Sequence, residues 1–337
     1  MQIAFNQQTQ NKKPFFSIII LSWNSKPYLQ TCLQSLNLQT CKDFEILLVD
    51  NGSTDPISQE ELQVFQNLAI HFYPLKQNLG FAAGNNFAAA VASGEYLVLL
   101  NADAFPNPDW LAEINNAIPR YPDHSFASQL IMANSPQKLD GEGDNYHATG
   151  LVWRKSYGRS VSQSANVERE VFSACGAAAV YPKQAYDLVN GFDENYFAYV
   201  EDVDLGFRLR LAGYACIFLP SAKVHHVGSA STSPRSDFSV YYGQRNLVWT
   251  FFKDMPGILI LILLPFHLLV NIFMILLSCF RKQGQVTFRA KRDAFLNLGE
   301  IFRKRKEIQK QRKISIFQLI KTFDWNPFSP LTKLFTR

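Results

Sequence analysis

Unbroken apolar runs alternate with helically spaced ones over the first hundred positions. Phe16-Ser17-Ile18-Ile19-Ile20-Leu21, Phe44-Glu45-Ile46-Leu47-Leu48-Val49 and Tyr96-Leu97-Val98-Leu99-Leu100 lack a polar alternation. That is the pattern of parallel strands covered on both faces. Between them, 26–38 sets Tyr28, Leu29, Cys32, Leu33 and Leu36 at helical spacing, and the sequence predicts a further helix near 57–67 and a short strand at 69–73. The Ala-rich stretch 82–92 reads as a helix with small faces. Each long strand ends on polar residues: Ser22-Trp23-Asn24, Asp50-Asn51-Gly52 and Asn101-Ala102-Asp103. The alternation predicts an α/β fold with a largely parallel sheet, and ligands of such sheets sit beyond the carboxyl ends of the strands.

The pattern fades over 130–170, where no element can be read. It resumes at Ser173–Tyr181 as a small-residue strand, then as a helix over 201–212 that opens on Glu201, Asp202 and Asp204. Acids suit the positive end of a helix dipole, so this cluster has a structural reading as well as a chemical one. Arg208 and Arg210 of that helix are expected on a solvated face, and a strand at 215–224 leads to His225 and His226.

Charge changes the picture at the other end. Residues 281–337 carry 15 Lys and Arg against 4 Asp and Glu, within a chain whose net charge is +5. The basic tail follows 255–280, which has no Asp, Glu, Lys or Arg, and that order favours a membrane surface over nucleic acid as its partner. A straight helix here is long enough to cross a bilayer, but crossing once would separate the basic tail from the rest of the chain. Pro265 is expected to break the helix, leaving a second arm of about 22 Å, too short to span. The expectation is a monotopic or re-entrant attachment through 255–280, with the basic segment on anionic headgroups. Five cysteines without a paired metal spacing fit reduced thiols, and the polar stretch 1–14 has no apolar signal region and is expected to be flexible. Both features point to the cytosolic side of the membrane.

Transfer of a group from a diphosphate to a hydroxyl needs a cation on the leaving diphosphate and a base for the attacking oxygen. Asp103, with His225 or His226, offers a site for Mg²⁺ or Mn²⁺, the imidazole tilting it towards Mn²⁺. Asp202 or Glu201 offers the base. Taken singly these residues decide little.

Together the motifs resemble glycosyltransferase family 2, most closely its rhamnosyltransferase-like branch. The resemblance rests on Ser17-Ile-Ile-Ile with Trp23-Asn24, Val49-Asp50-Asn51-Gly52-Ser53-Thr54-Asp55, and Gln77-Asn78-Leu79-Gly80-Phe81-Ala82-Ala83-Gly84-Asn85. It continues through Asn101-Ala102-Asp103, Gly191-Phe192-Asp193-Glu194, Glu201-Asp202-Val203-Asp204 and His226-Val227-Gly228-Ser229-Ala230-Ser231, and covers roughly 16–250. It implies a GT-A fold, a Rossmann-like, mostly parallel sheet with helices on both faces. The catalytic domain would span 15–250, split into a nucleotide-sugar half (15–125) and an acceptor half (126–250), with 251–337 as the membrane-associating segment. By the same resemblance Asp50 lies by the nucleoside base, with Asn51 beside it and Ser22 and Asn24 on the adjacent loop. Asn78 and Gly80 line the nucleotide pocket, Asn101 and Asp103 meet the ribose-diphosphate region, and Asp103 and His226 hold the metal. Asp202 is the catalytic base, with Glu201 beside it. The family's Asp-x-Asp is Asn101-Ala102-Asp103 here, so one carboxylate is missing.

Arg245, in Tyr241-Tyr242-Gly243-Gln244-Arg245-Asn246, is a candidate for the diphosphate or the acceptor phosphate. The implied reaction is inverting transfer of a sugar, rhamnose first, from a dTDP-, UDP- or GDP-sugar to a glycan or polyprenyl-diphosphate-linked acceptor in cell-surface polysaccharide synthesis. A Gln-x-x-Arg-Trp arrangement is absent, which counts against a processive synthase. A non-catalytic nucleotide- or glycan-binding scaffold of the same fold is the other alternative.

Overall fold

The computed structural model describes residues 3–5, 13–228 and 236–330. The chain runs β1 (Ile3–Phe5), β2 (Phe16–Ser22), α1 (Lys26–Asn37), β3 (Phe44–Asp50), α2 (Gln59–Leu62), β4 (Ile70–Pro74), α3 (Gly80–Val91) and β5 (Tyr96–Leu100). Strands β4, β3, β2 and β5 lie side by side in parallel, with β1 antiparallel on the outer edge of β4. The unbroken apolar runs are explained by the two cores. Ile18 and Ile20 face α1 through Leu29 and Leu33, whereas Ile19, pointing the other way, meets Ala82 and Ala88 of α3. With side chains alternating across the sheet and a helix on each face, both parities must be apolar.

The second half adds β6 (Ala104–Pro106), α4 (Trp110–Ala117), β7 (Ser125–Met132), β8 (Leu139–Gly141), β9 (Asp144–Tyr146), β10 (Val152–Arg154), β11 (Arg169–Val171), β12 (Ala178–Pro182), α5 (Lys183–Leu188), α6 (Glu201–Leu211) and β13 (Cys216–His226). From β5 outward the sheet is mixed: β12 is antiparallel to both β5 and β7, and β13 is parallel to β7. Segment 130–170, unreadable from sequence, holds three strands of three residues each, too short to show a period. The helix expected near 57–67 is a single turn followed by a 3₁₀ turn, and the strand expected over 173–181 covers only its last part.

Five helices follow: α7 (Asp237–Asp254), α8 (Gly257–Phe280), α9 (Gly284–Leu296), α10 (Leu298–Lys310) and α11 (Ile316–Ile320). A third apolar core joins them to the sheet-bearing part of the chain through Tyr146, Phe172, Phe207, Phe251 and Phe323.

Two expectations are corrected. Arg208 and Arg210 are buried rather than solvated. Arg208 pairs with Asp204 and donates to the Val189 and Gly191 carbonyls, while Arg210 pairs with Glu170 and donates to the carbonyls of Val171 and Phe172. These partners make burial of the charge tolerable.

Pro265 does not break α8, which continues through it for 24 residues, about 36 Å at helical rise. Both arms pack on the same body: Leu259 and Leu263 before and just short of the proline, His267 and Asn271 after it. That shared packing holds the helix continuous despite the missing N–H.

The five cysteines are all free thiols.

Candidate active site

A cleft of about 890 Å³ opens at the carboxyl edge of the sheet. Asn51, Asn78, Gly80, Asn101, Asp103, Glu201, Asp202 and His226 are among its walls, so most of the residues singled out in the sequence converge there. Ser22, Asn24, Asp50 and Arg245 are not among its lining residues.

The first three shape the loops instead. Asp50 Oδ1 accepts from the Ser53 amide at 2.9 Å, and Asn24 Oδ1 accepts from the Thr54 amide and hydroxyl at 2.9 and 3.0 Å. Ser22 is buried, and its carbonyl accepts from the Asn51 amide at 2.7 Å. Asn51 in turn donates to Asn78 Oδ1 and to the Gly80 carbonyl, and accepts from the Leu79 amide. Gly80 has φ +85°, and a Cβ there would lie 2.7 Å from the Phe197 carbonyl oxygen. That carbonyl caps α3, accepting from the amides of Phe81 and Ala82 at 2.6 and 3.2 Å. Glycine is therefore required by both backbone conformation and space.

The opposite wall is the start of α6. Its lead-in is strained: Phe197, Tyr199 and Val200 all have positive φ, of 64°, 67° and 70°. Non-glycine residues there, a β-branched valine above all, cost of order 1–3 kcal/mol each. Asn246, fully buried on α7, holds this loop by donating to the carbonyls of Tyr196, Ala198 and Tyr199 at 3.0, 3.0 and 2.7 Å. Arg245 adds bonds to the carbonyls of Asn195 and Tyr196 and lies over the Trp249 ring at 4.0 Å. Its guanidinium is committed to the loop.

Asp202 projects into the cleft and accepts from the amides of Gly176 at 3.0 Å and Val203 at 2.9 Å. Glu201 is buried beside it, and one of its carboxyl oxygens has no partner. Burial, reinforced by the charges of Asp202, Asp204 and Asp144, pushes Glu201 well above the usual carboxylate range.

Asp103 and His226 meet across the end of the sheet, with Asp103 Oδ1 3.4 Å from His226 Nε2. The Val227 amide donates to the Asp103 carbonyl at 3.0 Å, tying this turn to the end of β13. His226 Nδ1 lies 2.7 Å from Asp140 Oδ2, and Asp140 is paired with Arg154. Burial works against a charged His226, but its bonds to Asp103 and Asp140 outweigh that and raise its pKa. Asp140 is held down at about 2: burial raises it, and Arg154 and His226 more than compensate.

An imidazole whose Nδ1 is fixed by a carboxylate presents Nε2 as a ligand, the usual support for a metal-bound histidine. The pair therefore fits a divalent cation. Among the described residues no three His, Cys, Asp or Glu side chains group into a metal cage. A cation here needs further oxygen ligands from substrate and water, as Mg²⁺ ordinarily takes them. Asn101, standing where an acid would add a ligand, lies 3.4 Å from His226 Nε2.

Asp140, Asp144 and Arg154 also line the cleft and were missed by sequence reasoning, as was Asn246 as a loop clamp. The signal that was present is the acid–glycine run Asp140-Gly141-Glu142-Gly143-Asp144 in an otherwise patternless segment. Ser229–Ser231 of the last motif lie outside the described residues.

The sheet, with its carboxyl-edge cleft, is that of a glycosyltransferase of GT-A architecture. The chain belongs to glycosyl transferase family 2, whose family model matches residues 17–189. An N-acetylglucosaminyl-diphospho-decaprenol L-rhamnosyltransferase of Mycobacterium tuberculosis is 28% identical over 249 residues, covering 67% of this chain and 80% of that protein. The O-antigen biosynthesis protein RfbC of Myxococcus xanthus is 28% identical over 68% of this chain, which spans 19% of that longer protein. Among solved structures, GalNAc-T7 with UDP, GalNAc and Mn²⁺ superposes with a TM-score of 0.59 at 14% identity, over 72% of this chain and 48% of its own. A mannosyltransferase from Pyrobaculum calidifontis with GDP-Man and Mn²⁺ does so at 0.52 and 16% identity, over 89% and 85%.

Proposed function

We propose that this glycosyltransferase is inverting and metal-dependent, and moves a sugar, rhamnose first among candidates, from a nucleoside-diphosphate donor to a lipid-linked glycan. The observation that carries this reading is that the Asp103–His226 pair and Asp202 open into one cleft. The M. tuberculosis relative, named for transfer of L-rhamnose to a decaprenyl-diphosphate-linked sugar, supports the substrate class.

Asp202 takes the proton of the acceptor hydroxyl as that oxygen bonds to the anomeric carbon. The bond from that carbon to the diphosphate oxygen breaks on the opposite face, and the nucleoside diphosphate leaves with inversion. Five carboxyl side chains, Asp103, Asp140, Asp144, Glu201 and Asp202, line the cleft against Arg154 and Arg281. An anionic donor needs added positive charge in such a site. Mg²⁺ or Mn²⁺ on Asp103 and His226 would neutralise the departing diphosphate.

The test is thermal stability of the solubilised chain with dTDP, UDP or GDP, with and without Mn²⁺. One nucleotide is expected to raise the melting temperature in the presence of metal, and Asp103→Ala to abolish the rise. No rise with any nucleotide would favour the non-catalytic scaffold.

The attachment proposed for the cytoplasmic membrane face is monotopic, through α8. Its outer surface is apolar (Leu261, Ile262, Leu269, Ile272, Leu276 and Phe280 are exposed), while its buried stripe includes His267, Asn271 and Ser278. Such inverted polarity suits lipid outside and protein inside. The helices on either side of α8 support attachment without crossing. Trp249 of α7 donates to the Ala294 carbonyl of α9 at 3.1 Å, and Lys304 of α10 pairs with Asp193. A crossing would set these partners about 30 Å apart. An impermeant maleimide applied to intact cells is expected to leave both Cys279 and an Ile258→Cys variant unlabelled, and to label them after lysis. Labelling of either from outside would refute the monotopic arrangement.

A further inference from the structure

The cleft is not closed by the catalytic half alone. One face of α7, including Val240, Gln244 and Leu247, with Met274 of α8 and Arg281 just past its end, completes its wall. Arg281 caps the carboxyl end of α8, two turns beyond Met274. The same helix presents Phe273, Leu276 and Phe280 outward as exposed apolar side chains. A helix that borders the active cleft on one side and exposes apolar surface on the other is a boundary between substrate and lipid.

Charge is segregated along this boundary. The sheet edge and α6 supply the acids, whereas the α7–α8 wall carries none, sets Val240, Leu247 and Met274 beside Gln244, and ends on Arg281, with Lys282 next in the chain. Behind Gln244, the buried Lys291 of α9 donates to its carbonyl at 2.8 Å, and burial pulls its ammonium down to about 7, so the firm positive charge of that wall is Arg281.

We propose that the α7–α8 wall is the entry and holding site for the acceptor's lipid diphosphate. Arg281 binds the diphosphate, and Val240, Leu247 and Met274 receive the first prenyl carbons, so that the acceptor sugar reaches Asp202. This rests on the lipid-linked acceptor of the proposed function. An arginine at the polar end of an apolar helix matches a diphosphate on a hydrocarbon chain, since the guanidinium fork binds phosphate oxygens in pairs. The part of the chain that the family model matches, 17–189, does not include this wall.

The test is binding of farnesyl diphosphate to the full chain in detergent with EDTA, so that metal cannot hold the ligand at Asp103. Nucleotide binding with Mn²⁺ is measured in parallel. Arg281→Gln and Met274→Glu are each expected to weaken farnesyl diphosphate by about tenfold or more and to change nucleotide binding by far less. Inorganic diphosphate is expected to compete at least about tenfold more weakly, because it lacks the chain. Farnesyl diphosphate binding that is absent, unchanged in Arg281→Gln, or displaced by nucleotide would overturn the assignment. Equal competition by inorganic diphosphate would make the site one for free phosphate and also overturn it. Failure of the native chain to bind any nucleotide would strike the donor reading instead, and leaves the farnesyl arms to be judged separately.

Discussion

An Asp202→Asn enzyme is expected to turn over about 10²–10⁴-fold more slowly, the usual contribution of a positioned general base. The loss should fall on kcat, with nucleotide affinity unchanged, because Asp202 and the Asp103–His226 pair sit on different walls. The substitution is nearly isosteric, but the amide has one acceptor oxygen where the carboxylate has two. One of the bonds from Gly176 and Val203 is therefore lost, since an NH2 cannot accept from an N–H, and melting should fall modestly. The comparison with Glu201→Gln sharpens the expectation. Burial and the neighbouring acids hold Glu201 well above the usual carboxylate range, so the amide should cost far less than at Asp202. If the two variants lose activity equally, or Asp202→Asn keeps it, the base lies elsewhere. Kinetics with a fixed donor and a soluble acceptor analogue would read both.

Asn246 is expected to show the second large effect, and on two observables. Its side-chain amide bonds three carbonyls of the loop that leads into α6. Asn246→Ala leaves buried carbonyls without a donor and should destabilise the protein by roughly 2–4 kcal/mol. It also frees the positive φ angles at Tyr199 and Val200 to relax, which would move Asp202 and lower kcat beyond any loss of folded protein. Asn246→Asp discriminates a clamp from mere packing. A carboxylate has the same shape but only acceptors, so it would face three carbonyl oxygens without a hydrogen to share. It should be worse than alanine by denaturant unfolding and by kcat. An aspartate better tolerated than alanine would remove the clamp from the account.

The two variants together separate chemistry from positioning. Asp202 touches the reacting hydroxyl in the proposed mechanism, whereas Asn246 acts only through the backbone of 196–199. Arg245 belongs with Asn246 in this respect. An arginine beside tyrosines near a phosphate-handling cleft invites a ligand role, yet its bonds go to the Asn195 and Tyr196 carbonyls.

What the sequence determined by itself was the local part. Strands β2, β3 and β5 were legible because each is buried on both faces, and that requirement is written in consecutive residues. Asp50, Asn101 and Asp103 were legible as site candidates because strand ends in a parallel sheet share one edge. The start of α6 announced itself by its acids, and the apolar length of α8 by its composition.

Tertiary structure decided the rest, wherever partners lie far apart in the chain. Asp140 reaches His226 across 86 positions, from a segment whose three-residue strands carry no period. Arg208 and Arg210 looked like surface charges because sequence records a charge but not the Asp204, Glu170 and carbonyl groups that neutralise it. Pro265 marked a break by local rules, but packing of both helix arms on one body outweighed the missing hydrogen bond. Length and composition fit equally a helix that crosses and one that lies on a surface. The monotopic attachment proposed for α8 draws its support from the return of α9 and α10 to pack against α7, since the two ends of a packed body cannot sit on opposite sides of a hydrocarbon layer.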